Sequence, residues 1–317
     1  MDRLKRLLRG EQAALVLALL LLCMVLSILT PVFLSAANLK NVLRDASLIA
    51  IAGIGMVMVI LAGEIDLSPG SVQAVVGILA VQLLNETNSI FLALVGALAA
   101  GLVIGLLNGL LVTRAHINSL IATLGSMAIL RGGAMVGTQA VSIQARVEGF
   151  ARVGTGYWGP LPIPVIVAAV LLLVFYYVLH HTPAGRYLYA VGGNAQAARL
   201  AGLPVEGLKL AAFAISGVLA ALSAFILASR LNSGQPNAGL GFELQVIAAV
   251  VLGGVSLSGG LGTLVGAGLG ILILTVLNNG LVLLDVSSFY HDIARGTVII
   301  LAVYLDTRRR EQGQRRL

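Results

Sequence analysis

The sequence predicts an all-α fold, a polytopic membrane helix bundle with about ten transmembrane helices. Of its 317 residues, 58% are hydrophobic and only 10% are charged, and the mean hydropathy is +1.00. An average soluble domain carries about 25% charged residues, so a soluble fold of this size could not cover so much apolar surface. This composition excludes a cytosolic enzyme, a nucleic-acid-binding protein and a disordered chain. Residues 1–317 are interpreted as a single transmembrane domain.

Ten apolar runs follow one another along the chain, and a spanning helix needs about 20 mostly apolar residues. The first run is longer than the ~7–15 residues of a signal-peptide core, so we predict an uncleaved helix. Several runs are short and two pairs are divided by polar or glycine-rich stretches, which leaves nine or eleven crossings compatible with the pattern. The runs are 13–33, 46–62, 71–84, 90–112, 118–136, 162–179, 209–229, 244–254, 261–283 and 293–305.

Basic residues favour one orientation of these ten spans. With the N-terminus inside, the inner segments carry 13 Lys and Arg and the outer segments carry 5. An excess of Lys and Arg in cytoplasmic loops is the usual insertion preference of membrane proteins. We therefore expect a basic cytoplasmic N-terminus at 1–12, a cytoplasmic loop at 180–209 and a basic cytoplasmic tail at 306–317.

Two internal patterns concern packing. A shift of 171 residues superimposes Gly70 on Gly241, and Asn108-Gly109 on Asn279-Gly280. In the predicted topology the two copies run in opposite directions, which would make the repeat inverted, a plan that is common in transporters.

Small-residue ladders let helix backbones approach closely in lipid, and tight packing inside one bundle is favoured over a dimer seam. The ladders are Gly101/Gly105/Gly109 and Gly262/Gly266/Gly270.

The chain offers little to an enzymatic interpretation. It has one cysteine, Cys23, so no intrachain disulfide or cysteine-based metal site is expected. No phosphate-binding G-x-x-x-x-G-K-[ST] loop, no H-E-x-x-H and no G-x-S-x-G motif occurs in the sequence. We expect no catalytic residue, no metal and no cofactor, and any ATP hydrolysis must belong to a separate subunit.

The inner loop 180–209 contains a short helix with clear start and stop signals. Asn194 is a good N-cap, and the residues 195–201 favour helix. Gly202 stands at the C-terminal cap position and Pro204 prevents continuation. A helix of this length is not stable alone in water, so the membrane surface or a partner protein must hold it. A loop lying on lipid headgroups is the simpler of the two interpretations.

Here the residues carry a resemblance. The segment Gln196-Ala197-Ala198-Arg199 followed by Gly202 resembles the E-A-A-x-x-x-G coupling segment of ABC importer permeases, with Gln196 in place of the usual Glu. The chain from about 25 to 306 resembles the ribose/xylose-type monosaccharide permeases. The matching stretches are Ile65-Asp66-Leu67-Ser68, Gly70-Ser71, His180-His181-Thr182, Gly185-Arg186-Tyr187, Gly192-Gly193-Asn194, 248–254 and 277–281.

The resemblance implies an importer subunit of the bacterial inner membrane. Two permeases, either two copies or this chain with a sister permease, would form the membrane channel. Two ATP-binding cassette ATPase subunits would bind the inner loops, and an extracytoplasmic binding protein would deliver a monosaccharide. The residues expected to couple to the ATPase are Arg186, Asn194, Gln196, Ala197, Ala198, Arg199 and Gly202. The sugar itself cannot be identified from the sequence.

Polar residues inside the apolar runs have two or three interpretations each. A carboxylate near the membrane centre costs about 2.5–3.5 kcal/mol on insertion scales, so such groups face a cavity or a partner. Asp66 or Ser68 could cap the helix that follows. Alternatively, these polar side chains could line a sugar path, or Glu64 or Asp66 could bind a proton or cation. Amides inside helices favour interhelical hydrogen bonds, with sugar contact as the second interpretation. The candidate path residues are Glu64, Asp66, Ser68, Asn108, Asn278 and Asn279.

Two arginines fall within apolar spans. Arg295 is expected to extend to the interface, and Arg131 either does the same or pairs with a carboxylate such as Glu64, Asp66 or Asp292. In the outer segments 137–161 and 230–243, polar side chains are either a solvated cap or a docking surface for the binding protein, where complementary charge sets register. The docking candidates are Arg146, Glu148, Arg152, Arg230 and Glu243.

Two functions from different classes therefore compete. The sequence favours the permease subunit of an ATP-driven monosaccharide importer. The alternative is a self-contained secondary transporter that uses Glu64 or Asp66 as its ion site. The capped helix at 194–202 distinguishes them, because a secondary transporter has no need of such a segment.

Overall fold

The computed structural model describes residues 11–287 together with Tyr290, Ile293, Gly296, Thr297 and Ile300. Several predictions fall wholly or largely outside these residues. They are the basic N-terminus at 1–12, the last apolar run at 293–305, Arg295 and Asp292, and the basic tail at 306–317.

The described residues are predominantly helical, as the sequence predicts. The helices are α1 (Glu11–Leu29), α2 (Ala36–Leu61), α3 (Pro69–Thr87), α4 (Ile90–Thr113), α5 (Ser119–Thr138), α6 (Ala151–Thr155), α7 (Ile163–His181), α8 (Pro183–Gly193), α9 (Ala195–Leu200), α10 (Val205–Leu231), α11 (Phe242–Leu252) and α12 (Leu264–Leu283). Four two-residue strands, β1 (Ile143–Gln144), β2 (Tyr157–Trp158), β3 (Leu161–Pro162) and β4 (Ser233–Gly234), pair antiparallel as β1–β4 and β2–β3.

Seven helices of the described chain are long and apolar enough to cross a membrane: α1, α2, α4, α5, α7, α10 and α12. The predicted runs at 71–84 and 244–254 correspond to α3, of 19 residues, and to the short apolar α11, of 11 residues. An all-α, polytopic membrane fold is thereby confirmed. The count of ten crossings stays a prediction, because its last run lies largely outside the described residues.

Local sequence explains where several long helices begin. A side-chain oxygen at the N-cap accepts a hydrogen bond from a backbone amide of the first turn, which would otherwise have no partner. This is true of Ser35 before α2, Ser89 before α4, Asn118 before α5 and Thr263 before α12. These caps lie at chain reversals, so the polar residues that separate the apolar runs also begin the helices.

The centre of the bundle is formed by α2 and α10. Of the most apolar window of α2, 83% is buried, and α10 packs against α2, α3 and α4. Both glycine ladders lie at close helix contacts within the chain: a Cβ at Gly105 would stand 2.3 Å from the carbonyl oxygen of Phe213, and one at Gly270 would stand 2.1 Å from that of Ala249. The predicted tight packing inside one bundle is confirmed.

Hydrogen bonds gather the connecting segments at two opposite ends of the bundle. At one end, Gly260 N–H donates to the carbonyl of Leu61 and Ile65 N–H donates to Ser119 Oγ. At the other end, Asn85 Nδ2 donates to the carbonyl of Gln144, and β1 pairs with β4. The segments joined at these two ends are the ones that the basic-residue count assigns to the inner side and to the outer side, and we call the two ends the inner-segment end and the outer-segment end.

Two connections enter the bundle as non-helical chain. Residues 62–68 lead from α2 to α3, and residues 235–241 lead from β4 to α11. Their depth is given by α10, whose 27 residues span about 40 Å. Asp66 bonds to Ser216 and Gln73 bonds to Ser223, and both serines lie near the middle of α10. The start of α3 therefore lies near mid-depth, and residues 235–241 reach the same level, because Gly239 contacts Gly70 and Gln73 of α3.

Candidate functional site

The short helix α9 is capped at both ends. Asn194 Oδ1 accepts hydrogen bonds from the amides of Gln196 and Ala197, at 3.0 and 2.9 Å. At the other end, Gly202 N–H donates to Arg199 O and Leu203 N–H donates to Ala198 O, with Gly202 at φ +80°. This pair of bonds is a Schellman motif, which needs a left-handed residue and therefore favours glycine. The predicted N-cap and C-terminal glycine are both confirmed as caps.

One face of α9 is held by the bundle and the other is exposed. Ala198 is 5% exposed and packs with Val191 of α8 and Val205 of α10. Gln196, Ala197 and Arg199 are exposed, and Leu200 is 87% exposed. Arg199 forms an ion pair with Glu206 in the first turn of α10. Two caps and one buried alanine thus hold a six-residue helix that would be unstable alone, and they leave an apolar and basic face outward.

Helix α8, which leads into α9, contacts the end of α2 and the loop between α11 and α12 at a cluster of glycines. Gly192 packs against the carbonyl of Leu61 and the amide of Gly260, and Gly63 and Gly259 pack against each other beside it. These contacts join backbone atoms directly, with no side chain between them. We call Gly63, Gly192, Gly259 and Gly260 the glycine junction.

Tyr189 of α8 provides a second connection to the same region. Its hydroxyl donates a 2.9 Å hydrogen bond to the carbonyl of Gly262, just before α12. Burial raises the pKa of the Tyr189 phenol because an ionised oxygen would lose its hydration. The phenol therefore stays neutral and remains a donor across the physiological pH range. Arg186 lies on the same helix and is exposed.

Asp66 is the centre of a buried hydrogen-bonded group. Its Oδ1 accepts from Ser68 N–H at 2.9 Å and from Ser68 Oγ at 2.6 Å, and its Oδ2 accepts from Ser216 Oγ at 2.8 Å. Asn108 Nδ2 donates to Ser68 Oγ at 3.1 Å. Asp66, Ser68 and Asn108 are each 1–2% exposed. We call Asp66, Ser68, Asn108 and Ser216 the Asp66 cluster.

The helix-capping interpretation of this segment needs correction. Ser68 occupies the N-cap position of α3, but its side chain makes no capping bond to the first turn. Its hydroxyl is instead a donor to Asp66, and Pro69 at the first helical position has no N–H that would need a partner. Asp66 therefore fixes the bend before α3 and does not cap the helix itself.

Glu64 and Lys209 form an ion pair at the inner-segment end. The Lys209 ammonium bonds to Glu64 Oε1, and their side chains are 19% and 13% exposed. Lys209 lies in the second turn of α10, the helix that follows α9 after a loop at 201–204. This pair connects the start of α10 to the connection between α2 and α3.

Within the described residues, Arg131 pairs with neither Glu64 nor Asp66, and its side chain is held inside the bundle instead of extending to an interface. Its Nη1 donates to the carbonyls of Pro236 and Ala238 at 2.9 and 2.6 Å, and its Nη2 donates to that of Gly70 at 3.1 Å. Glu243 is the nearby carboxylate that interacts with the guanidinium. Asp292 lies outside the described residues. The arginine thus supplies donors to the non-helical chain where it crosses the bundle.

The remaining path candidates lie on α12. Asn279 and Asn38 exchange two amide hydrogen bonds, at 2.9 and 2.8 Å, so Asn279 connects α12 to α2 as the interhelical interpretation predicts. Asn278 is half-buried. The described structure therefore places Glu64, Asp66, Ser68, Asn108 and Asn279 in bonds within the chain.

Four of the five docking candidates lie at the outer-segment end, and one does not. Arg146, Glu148 and Arg152 are exposed, and Arg230 forms an ion pair with Asp45. Glu243 is only 9% exposed, because α11 begins deep in the bundle and places the carboxylate beside Gly70. Its assignment to an exposed docking surface was therefore wrong.

Sequence reasoning assigned no structural role to three residues that the structure singles out. Lys209, Ser216 and Gly192 meet partners 145, 150 and 131 positions away, which no local pattern reveals. One signal was present: Ser216 and Ser223 are seven residues apart and so share a face of α10, and both form buried hydrogen bonds. Among the described residues, no group of three His, Cys, Asp or Glu side chains could hold a metal ion.

Comparison with known proteins gives consistent matches. Residues 38–303 match the family described as branched-chain amino acid transport system / permease component. The chain is 43% identical to the ribose import permease protein of Haemophilus influenzae, over 92% of this chain and 91% of that protein, and 43% identical to that of Escherichia coli K12, over 94% of both. It is 38% identical to the L-arabinose ABC transporter permease protein of Azospirillum brasilense, over 95% of this chain and 89% of that protein. No solved structure matches.

Proposed function

The chain belongs to the family of branched-chain amino acid transport system permease components, and from this premise we propose how it works as the permease of an ATP-driven sugar importer. It is a multi-pass protein of the bacterial inner membrane, and its ATPase is a separate subunit. The observation that carries the proposal is α9, which is capped at both ends and exposes one face beyond the bundle.

Helix α9 is the coupling helix that seats in a groove of the ATPase. Leu200 offers the apolar contact and Arg199 the charged one, while Gln196 and Ala197 complete the exposed face. Asn194 and Gly202 contribute by capping, and Ala198 holds the helix to α8 and α10. Arg186, exposed on α8, is the second cation available to an acidic rim of the groove.

Movement of α9 passes to the bundle through the glycine junction. Closure of two ATPase subunits on ATP displaces α9, and α8 moves with it. Because Gly192 contacts the end of α2 and the loop between α11 and α12 without intervening side chains, these segments must follow. ATP favours one state of the bundle only by its differential affinity for the two states, and the same holds for the docked binding protein.

An inverted repeat accounts for the two non-helical connections, 62–68 and 235–241. Displaced by 171 residues, the starts of α2, α3 and α4 fall at 207, 240 and 261, within three residues of the starts of α10, α11 and α12. Arg230 at the end of α10 pairs with Asp45 in the third turn of α2, which supports opposite directions for these two helices. On this plan there are about ten spans, and both termini and 180–209 are cytoplasmic.

The outer-segment end is the docking side for the extracytoplasmic binding protein. Arg146, Glu148, Arg152 and Arg230 provide mixed charge there, which sets register in a complex more than affinity. A second permease, identical or a sister, completes the channel. The exposed apolar faces of α1 and α7 contact membrane lipid.

A secondary transporter that uses Glu64 or Asp66 as its ion site is not favoured. Glu64 already has Lys209 as a counter-charge, and Asp66 accepts three hydrogen bonds from within the chain. The sugar we propose is a pentose, since the relatives above are named for ribose and L-arabinose.

Reconstitution in liposomes tests the function. The permease, its ATPase and the binding protein are combined, and uptake of labelled ribose and L-arabinose is measured with ATP inside the vesicles. We expect uptake only when all three components and ATP are present. Concentrative uptake by the permease alone, driven by a proton or sodium gradient, would support the secondary transporter instead. A matched set of vesicles with a hydrolysis-deficient ATPase controls for leakage.

A further inference from the structure

The connection 235–241 enters the bundle without forming a helix and reaches the level of the start of α3. Gly239 contacts Gly70 and Gln73 of α3, and Gln73 bonds to Ser223 near the middle of α10. Arg131 binds the carbonyls of Pro236 and Ala238. One side of this connection is therefore fixed to α3 and α5.

The other side of the connection is open. Asn237 and Leu240 are exposed, Leu240 at 67%. The neighbouring Gln235 is half-buried and donates to Ser233 Oγ at 3.2 Å. Within the described residues, the side-chain amide of Asn237 forms no hydrogen bond, whereas the amides of Asn108 and Asn279 are bonded inside the bundle.

A free amide at this depth is informative about its surroundings. Placing an unbonded polar group in hydrocarbon costs several kcal/mol, and non-helical backbone at membrane depth is tolerated only where protein buries it or where it lines a water-filled cavity. Substrate sites of many transporters lie near the midplane beside such broken helices. The open side of 235–241 is therefore not in contact with lipid.

We propose that the side chain of Asn237 contacts the hydroxyl groups of the passing sugar, on a passage wall formed by residues 235–240. A carboxamide offers one acceptor and two donor hydrogens, which suits the adjacent hydroxyls of a monosaccharide. Arg131 is a positioning residue, because it holds the carbonyls on both sides of Asn237. This inference rests on the proposed sugar import and names its contact in the membrane.

The placement differs from the path that the sequence suggested. Asp66, Ser68 and Asn108 are 1–2% exposed and satisfy one another. A sugar could reach them only after the Asp66 cluster had come apart. Asn237 is accessible without any such change, and a single amide gives the weak contact that a passage requires.

Thiol labelling tests whether residues 235–240 are accessible to water and in contact with the sugar. In a Cys23→Ser background, Asn237→Cys is assembled with the ATPase and binding protein and treated with a charged, membrane-impermeant methanethiosulfonate. We expect reaction, slowed by ribose-loaded binding protein compared with the empty one. Leu240→Cys is a second probe of the same wall if Asn237→Cys does not assemble. Val103→Cys, on the exposed face of α4, is the matched control and should stay unreactive.

Each outcome decides the proposal. An unreactive wall, or reaction that ribose does not slow, overturns it. The Asn237→Ala variant should lower maximal ribose uptake about two- to tenfold, the worth of one hydrogen bond, and should change the relative rates for ribose and L-arabinose. Asn41→Ala, an exposed amide near the start of α2, should change neither. If the Cys23→Ser parent imports no sugar with ATP, the proposed function has failed and not this contact.

Discussion

Gly192 and Leu61 meet backbone to backbone. A Cβ built on Gly192 would stand 1.8 Å from the carbonyl oxygen of Leu61 and 2.5 Å from the amide nitrogen of Gly260. That carbonyl already accepts a 3.1 Å hydrogen bond from Gly260. Helix α8, which leads into α9, is thus in direct contact with the end of α2 and with the loop between α11 and α12, and only glycine fits at 192.

Gly192→Ala should damage both folding and transport. The added methyl group cannot be accommodated without shifting backbone, and overpacking of this kind costs about 1–3 kcal/mol. We expect a lower thermal midpoint in detergent and a loss of ATP-driven uptake. Gly193→Ala is the matched control, because a Cβ there meets no atom within 4 Å. Equal behaviour of the two variants would contradict a transmitting role for the junction.

Arg199 should act on the ATPase as well as on Glu206. Charge reversal, Arg199→Glu, breaks the ion pair with Glu206 and should separate ATP hydrolysis from sugar uptake. The exchange Arg199→Glu with Glu206→Arg restores the pair within the chain. If the role is coupling, the exchange recovers any lost stability but not uptake per ATP hydrolysed.

The outcome to look for in that experiment is the ratio of uptake to hydrolysis in reconstituted vesicles. Full recovery by the double exchange would limit Arg199 to a local structural role. The surface pair itself contributes little to stability, about 0–1 kcal/mol, so a large loss of uptake cannot come from unfolding.

The local features of the candidate site could be predicted from the sequence, and the long-range ones could not. Asn194, Gly202 and Pro204 indicate a short capped helix through bonds made within a few residues, and α9 forms there. Asp66 and Ser216 lie 150 positions apart, and Glu64 and Lys209 lie 145 apart. Such pairings depend on how helices pack, which the apolar pattern alone does not specify.

The depth of the segment 230–243 shows the same limit for the fold. Its polar composition predicts an outer loop, and Arg230 does lie at that end. Glu243 does not, because the chain turns inward after β4 and Arg131 satisfies carbonyls that water would satisfy in a loop. A polar loop outside the bundle and a non-helical segment that enters the bundle look alike in sequence, since both lack helical periodicity.

Glu64 and Lys209 should tolerate exchange of their charges. Glu64→Gln leaves the Lys209 ammonium, 19% exposed, without its partner, and removing one member of a buried pair costs up to about 3–5 kcal/mol. We expect reduced stability and uptake in that variant, and recovery when Glu64→Lys is combined with Lys209→Glu. A proton- or cation-binding Glu64 would not be rescued by the exchange, so uptake in the double variant separates the two roles.

Asp66 should matter as an acceptor rather than as a charge. Asp66→Ala would leave the Ser68 amide and the hydroxyls of Ser68 and Ser216 without their acceptor, at about 1–3 kcal/mol for each buried group left unpaired. Asp66→Asn keeps one oxygen for Ser68, and the Ser216 hydroxyl can rotate to accept from the new amide. We therefore expect the thermal midpoint to fall much further for alanine than for asparagine, with ATP-driven uptake following the same order.

The control for that pair of variants is Glu86→Ala, an exposed carboxylate in the last turn of α3, which should change stability by less than about 0.5 kcal/mol. If Asp66→Asn proved as inactive as Asp66→Ala while remaining as stable as the parent, the negative charge itself would be required. An ion-coupled mechanism predicts that result, because asparagine cannot take up or release a proton. The hydrogen bonds seen at Asp66 predict the opposite: in Asp66→Asn the remaining oxygen still accepts from Ser68, and the new amide can donate to the Ser216 hydroxyl, so the bend before α3 is kept.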